Sequence, residues 1–173
     1  MSTAQQSTVA DQFVAANERY AAGFSKGDLP MPPGRKVAVL VCMDARIDPA
    51  RALGLEEGDA HVIRNAGGLA GDAIRSLAIS QELLGTREIV VIHHTDCGML
   101  TFTNEVIRQK LAENLGAEAG EAAQTVDFEP FSDPDQCVRE DIATLRSSPL
   151  LRKDVPITGF VYDVKTGRLN RVE

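Results

Sequence analysis

The chain has 173 residues, enough for one domain of ordinary size whose core needs no disulfide staples. Eighteen basic against twenty-five acidic residues leave a net charge of −7, which excludes the overall basic footprint that draws a protein to nucleic acid or to an anionic membrane. Met1 to Gln6 lacks the basic start and apolar continuation of a secretory signal, and no apolar run approaches the roughly 18 residues of a spanning helix, so a cytoplasmic protein with a small or neutral partner is expected.

From Thr8 to Phe24 the apolar residues Val9, Phe13, Val14, Ala16, Tyr20 and Phe24 recur at helical spacing, and Gly23 with Gly27 supplies a stop. The proline-rich Leu29 to Gly34 breaks the helix and turns the chain. Lys36 to Val41 is then a continuous run rich in β-branched residues, which predicts a strand buried on both faces. A second strand is expected over Ala60 to Arg64 and a third, the most apolar, over Glu88 to His93. Between them Gly71 to Leu84 carries Ile74, Leu77, Ala78, Ile79, Leu83 and Leu84 at helical spacing and is closed by Gly85. Phe102 to Leu115 and Asp135 to Leu145 predict two further helices, separated by a Gly-, Ala-, Glu- and Pro-rich stretch from Gly116 to Pro134 that reads as a loop excursion. Ile157 to Val164 predicts a strand entering a hairpin at Lys165 to Arg168, with Arg168 to Val172 returning antiparallel at the sheet edge.

Strands alternating with helices imply βαβ units in a parallel sheet with right-handed crossovers. No repeat, charge block or linker divides the chain. It reads as a single domain over 1–173, with a helix and linker over 1–33 and an α/β core over 35–173. In open parallel sheets chemistry gathers at the carboxyl ends of the strands, where Cys42, Arg64 and His94 all fall.

Three cysteines in a chain with no secretory pattern suit a metal or catalytic role better than a disulfide. Cys42 ends one apolar run, and His94 and Cys97, three residues apart, follow another. Taken singly, each is an ordinary strand-end residue. Taken together, two thiolates and one imidazole at neighbouring strand ends predict a Zn²⁺ site with one coordination position left free. Asp44 and Arg46 follow Cys42 at spacings of two, so on an extended backbone all three share one side, with Arg46 keeping Asp44 ionised. Gly67 and Gly68 after Asn65 permit a tight turn, His61 and His93 read as structural histidines, and Cys137 is the spare cysteine. Gly67 to Gly71 lacks the full GxGxxG pattern of a nucleotide-binding turn.

Cys42-Met43-Asp44-Ala45-Arg46, Arg64-Asn65-Ala66-Gly67-Gly68 and His94-Thr95-Asp96-Cys97-Gly98 together resemble the CxDxR, glycine-pair and HxxCG elements of the β-class carbonic anhydrases, in order and approximate separation. The resemblance is strongest from Lys36 to Met99 and continues more weakly through Ser147 to Leu150 and Thr158 to Leu169. It implies Zn²⁺ on Cys42, His94 and Cys97, and an Asp44/Arg46 dyad that gates the fourth position, with Asp44 itself the fourth ligand in a closed state. It implies a mainly parallel sheet of four strands with a fifth at the edge, flanked by helices, and an N-terminal helix packed on a partner subunit in a homodimer or higher even oligomer. The implied activity is reversible hydration of CO₂ to bicarbonate and a proton by zinc-bound hydroxide. The compact branch of the family also contains carbonyl sulfide and carbon disulfide hydrolases with the same ligands. A different class of reading, a non-catalytic zinc module, would keep Asp44 as a permanent ligand.

Overall fold

The computed structural model describes residues 8–173, so Met1 to Gln6 lie outside it. The described residues fall into two compact units divided after Pro30. The first is built on α1, Val9–Ala22, inside the expected span. A reciprocal capping box starts it: Asp11 N donates to Thr8 Oγ1 at 3.2 Å, and Thr8 N donates to Asp11 Oδ2 at 2.7 Å. Gly23 closes it, and none of its residues is buried.

The second unit is a five-stranded sheet ordered β2-β1-β3-β4-β5. Its strands are β1 Val37–Cys42, β2 Ala60–Asn65, β3 Glu88–His94, β4 Ile157–Tyr162 and β5 Leu169–Val172. The first four are parallel, and only β5 returns antiparallel, on β4. Because side chains alternate across a strand, β1 supplies both cores of the sheet. Ala38 and Leu40 pack with Ile89, Val91, Leu77 and Leu145, the last two from α3, Ala70–Glu82, and α6, Pro134–Ser147. Val39 and Val41 face the other way, onto Ile92, Ile47 and Leu53. Leu53 ends α2, Pro49–Leu53, a short helix beyond those expected from the sequence. Its signals are nonetheless present: Asp48 caps it, Pro49 occupies its first turn, and Gly54 ends it with φ 63°.

The largest departure from expectation lies between Gly116 and Pro134. Asn104–Leu115 forms α4, as expected, but the stretch read as a loop begins with a further helix, α5, Ala117–Ala123. Gly116 breaks the chain with φ 97°, and the alanines that follow form helix readily. A β-carbon on Gly120 would lie 2.7 Å from that of Ala112, so glycine is what lets α5 seat on α4. Composition read this segment as irregular because it counts glycines and not where they fall. No helix among the described residues is long and apolar enough to cross a membrane.

The chain leaves β1 to form β2 on one side and β3 on the other, so the strand order reverses at β1. Beyond the carboxyl ends of β1 and β3 a crevice opens, and Cys42 and His94 are the last residues of those two strands.

Candidate metal centre

Cys42, His94 and Cys97 converge. One donor atom from each lies within 4.8 Å of the others, and all three residues are buried. The two sulfurs are 3.9 Å apart. After His94 a turn through Asp96, whose φ is 55°, returns the chain so that Cys97 heads the 3₁₀ turn at Gly98–Leu100. His94 Nδ1 lies 2.9 Å from the carbonyl oxygen of Thr95, which fixes it as the donor nitrogen and leaves Nε2 as a lone pair. Nε2 is buried without a hydrogen-bond partner. An unpartnered imidazole nitrogen facing two thiols is the donor chemistry of a zinc site, and the residues fit that ion. The sulfur pair is asymmetric: the hydrogen bond from Cys97 brings the Cys42 thiol down to about 4, while the same bond and burial push Cys97 up. A dication beside both sulfurs would favour the second thiolate.

Asp44 sits beside this group and is held by Arg46. Arg46 N and Nε donate to Asp44 Oδ1 at 2.8 and 3.0 Å, and Nη2 donates to Oδ2 at 2.8 Å. These bonds hold the Asp44 carboxyl far below the ordinary carboxylate range. Its Oδ2 is 3.8 Å from His94 Nε2.

Several residues that build the site were given no role from the sequence, although Arg64, Asn65 and Asp96 all stand in its motifs. Asp96 grips the far side of Arg46, its Oδ2 accepting from Nη1 and its carbonyl from Nη2, both at 2.7 Å. Arg46 is thus clamped between two aspartates. Arg64 donates to the Cys42 carbonyl from Nε at 3.0 Å and from Nη2 at 2.8 Å, and Nη2 also reaches the Asp44 carbonyl at 2.7 Å. That fixes the backbone on which ligand and dyad are mounted. Asn65 closes the glycine turn by bonding Leu69 through both its amide atoms, at 2.9 and 2.7 Å. The available signal was the Arg-Asn pair ending a strand beside the one that carries Cys42. His61 plays a structural part, with its Nδ1 2.7 Å from Ser80 Oγ.

A cavity of about 310 Å³ opens over Cys42 and Cys97, with Met43, Ala66, Met99 and Phe102 in its walls and Asp44 among the few polar groups. Buried soft donors under an apolar chamber, at the switch point of a parallel sheet, fit one class of protein: the α/β metalloenzymes that act on small molecules.

The comparisons narrow the class. The family described as carbonic anhydrase matches residues 37–169. Beta-carbonic anhydrase 1 of Mycobacterium tuberculosis is 49% identical over 166 residues, spanning 95% of this chain and 98% of that one. Carbon disulfide hydrolase of an Acidianus species is 38% identical over 175 residues, covering 89% and 84%. The solved carbonic anhydrase from Glaciozyma antarctica is 50% identical and superposes over both whole chains with a TM-score of 0.89. The chain belongs to the β-carbonic anhydrase family of enzymes.

Proposed function

We propose that the protein hydrates CO₂ reversibly to bicarbonate and a proton, with Zn²⁺ held by Cys42, His94 and Cys97. The observation that carries this reading is the buried group of two sulfurs and one unpartnered imidazole nitrogen beneath an apolar cavity. Zinc bound there supplies a water whose pKa falls from about 15.7 towards 7, and with it the oxygen nucleophile. Asp44, kept ionised by Arg46, accepts a hydrogen bond from the nucleophilic water at Oδ2 and so orients a lone pair towards the carbon. Because its carboxylate is so strongly held, Asp44 is the orienting group and does not store the proton, which leaves to solvent. Met43, Ala66, Met99 and Phe102 offer the substrate apolar walls and exclude competing water.

The same Arg46 contacts support an open fourth position. Both Asp44 oxygens are engaged by the guanidinium or its backbone, which disfavours the non-catalytic reading with Asp44 as a permanent ligand. Replacing Arg46 by Ala removes that restraint. We expect Arg46→Ala to keep its metal but lose about 10- to 100-fold in CO₂ hydration at neutral pH, with stopped-flow rates and metal content measured on one preparation.

A second reading keeps the site and changes the electrophile to carbonyl sulfide or carbon disulfide. The apolar chamber and the 38% identity to a carbon disulfide hydrolase support it; the 49% identity to a carbonic anhydrase favours CO₂. Turnover of CO₂, COS and CS₂ by one zinc-loaded preparation decides between them. CO₂ hydration should exceed the other two by orders of magnitude, and sulfide release outpacing it would overturn the first reading.

The opening helix supports a homodimer or higher even oligomer. On α1, Val9, Phe13 and Val14 are each at least 60% exposed, and no residue of the helix is buried. An amphipathic helix left so bare is a surface for a partner subunit. Phe13→Asp should shift the protein to monomer in size-exclusion chromatography with light scattering; an unchanged mass would count against α1 as the interface.

A further inference from the structure

A second group of donors lies outside the site described above. His93, the residue before His94 on β3, is completely buried, and its Nε2 is 2.8 Å from Asp141 Oδ2 on α6. Asp141 Oδ1 accepts from the backbone nitrogen of Ala70 at 3.0 Å, at the start of α3. Cys137 precedes Asp141 by four residues on α6, so both side chains leave the same helix face. A sulfur from Cys137, a ring nitrogen from His93 and a carboxylate oxygen from Asp141 lie within 4.8 Å of one another, and all three residues are buried.

Ordinary core packing leaves features of this group unexplained. His93 Nδ1 is buried with no hydrogen-bond partner, so while Nε2–H donates to Asp141 the ring keeps an unused lone pair, and a place for its proton, at Nδ1. Burial pushes the Cys137 thiol up to about 12, and Asp141, Glu140 and Glu129 push it the same way. Glu129 is itself raised by burial and then by Asp72, Asp127 and Asp141. Every charge shifting these two groups is negative, the potential a cation would neutralise. A cavity of about 370 Å³ is lined by Cys137, Asp141, Glu129 and Glu140, which gives an ion an acidic approach to two of the three donors.

We propose that Cys137, His93 and Asp141 form a second metal site, for one borderline-soft divalent ion such as Zn²⁺, separate from the group at Cys42, His94 and Cys97. Thiolate, imidazole and carboxylate are the three donor types zinc accepts. On binding, the Cys137 S–H bond breaks, its proton passes to solvent and the sulfur lone pair binds the ion. The ring proton that His93 Nε2 shares with Asp141 moves to Nδ1, and the hydrogen bond gives way to coordination by Nε2 and the Asp141 carboxylate. Two negative ligands balance the dication. Because a proton must be displaced from a thiol that holds it firmly, this site fills after the first. Its occupancy would tie α6 to β3 immediately before His94.

Cadmium titration of the metal-stripped full chain tests this, followed by thiolate-to-cadmium absorption in the ultraviolet and by ¹¹³Cd NMR. Wild type should take up two equivalents in sequence and show two resonances. Cys137→Ser, a nearly isosteric change, should lose the later equivalent and its resonance, whereas Cys42→Ser should keep them. Saturation of wild type at one equivalent, or two equivalents in Cys137→Ser, would overturn the proposal.

Discussion

Replacing Cys42 with serine should empty the metal centre and reduce CO₂ hydration by ~100-fold or more, since loss even of an outer hydrogen-bond partner of a ligand costs about 10- to 100-fold. The physical reason is donor chemistry. A serine hydroxyl does not ionise as a thiol does, and the change removes one of the two thiolates that would neutralise the ion. The fold should survive, because Cys42 is 4% exposed among Leu69, Met99 and neighbouring apolar groups and serine nearly matches its volume. Two measurements separate these effects. Metal content after dialysis should fall by about one ion per chain relative to wild type, and added zinc should raise the melting temperature of wild type more than that of the variant, because a ligand stabilises the state that binds it. A variant that retained as much zinc as wild type, at wild-type affinity, would remove Cys42 from the ligand set.

The largest stability effect is expected at Gly68. Its φ is 77°, and a β-carbon there would lie 2.8 Å from the backbone nitrogen of Cys42, 3.0 Å from the carbonyl carbon of Val41 and 3.1 Å from the Ile92 carbonyl oxygen. The left-handed conformation alone costs an L-residue about 1–2 kcal/mol, and overpacking adds roughly 1–3 kcal/mol. The obstructing atoms are backbone in two central strands, so no side chain can rotate aside. Gly68→Ala should therefore lose about 3 kcal/mol or more, a fall of roughly 6–12 °C in melting temperature for a chain of this size. Gly54, also left-handed with φ 63° but open to space, serves as the control. Gly54→Ala should show only the conformational part of the loss, and equal losses at the two positions would refute the role assigned to crowding beside Cys42.

These two residues mark how far the chain was legible before folding. Cys42 was readable as a candidate donor because it ends an apolar run, and metal chemistry needs particular residue types wherever they sit. Gly68 was readable only as a turn residue, because the strand backbones that crowd it come from positions distant in sequence. Asp96 follows the same rule: its contact with Arg46 spans fifty positions and appears only when the carboxyl ends of β1 and β3 are side by side. Arg64 stood in a recognised motif, but its task, gripping the carbonyls of Cys42 and Asp44, depends on the parallel pairing of β1 with β2. The helix α5 escaped because its glycines suggested a loop, whereas Gly120 serves its packing on α4. His93 and Cys137 were read as a strand-end histidine and a spare cysteine. Nothing along the chain brings them together, since α6 meets β3 only after the crossover is complete.

Local pattern along the chain was enough to read the strands, most of the helices, the parallel α/β class and the candidate donors. Local periodicity and residue chemistry act over a few positions and survive without tertiary context. The tertiary structure decided the strand order that makes β1 the switch point, the clamp of Arg46 between Asp44 and Asp96, the closeness of Gly68 to Cys42 and the second group at His93, Cys137 and Asp141. Each depends on distances between residues far apart along the chain. Hydrophobic burial draws such segments together without direction; only the packed sheet and its helices set which polar atoms then meet.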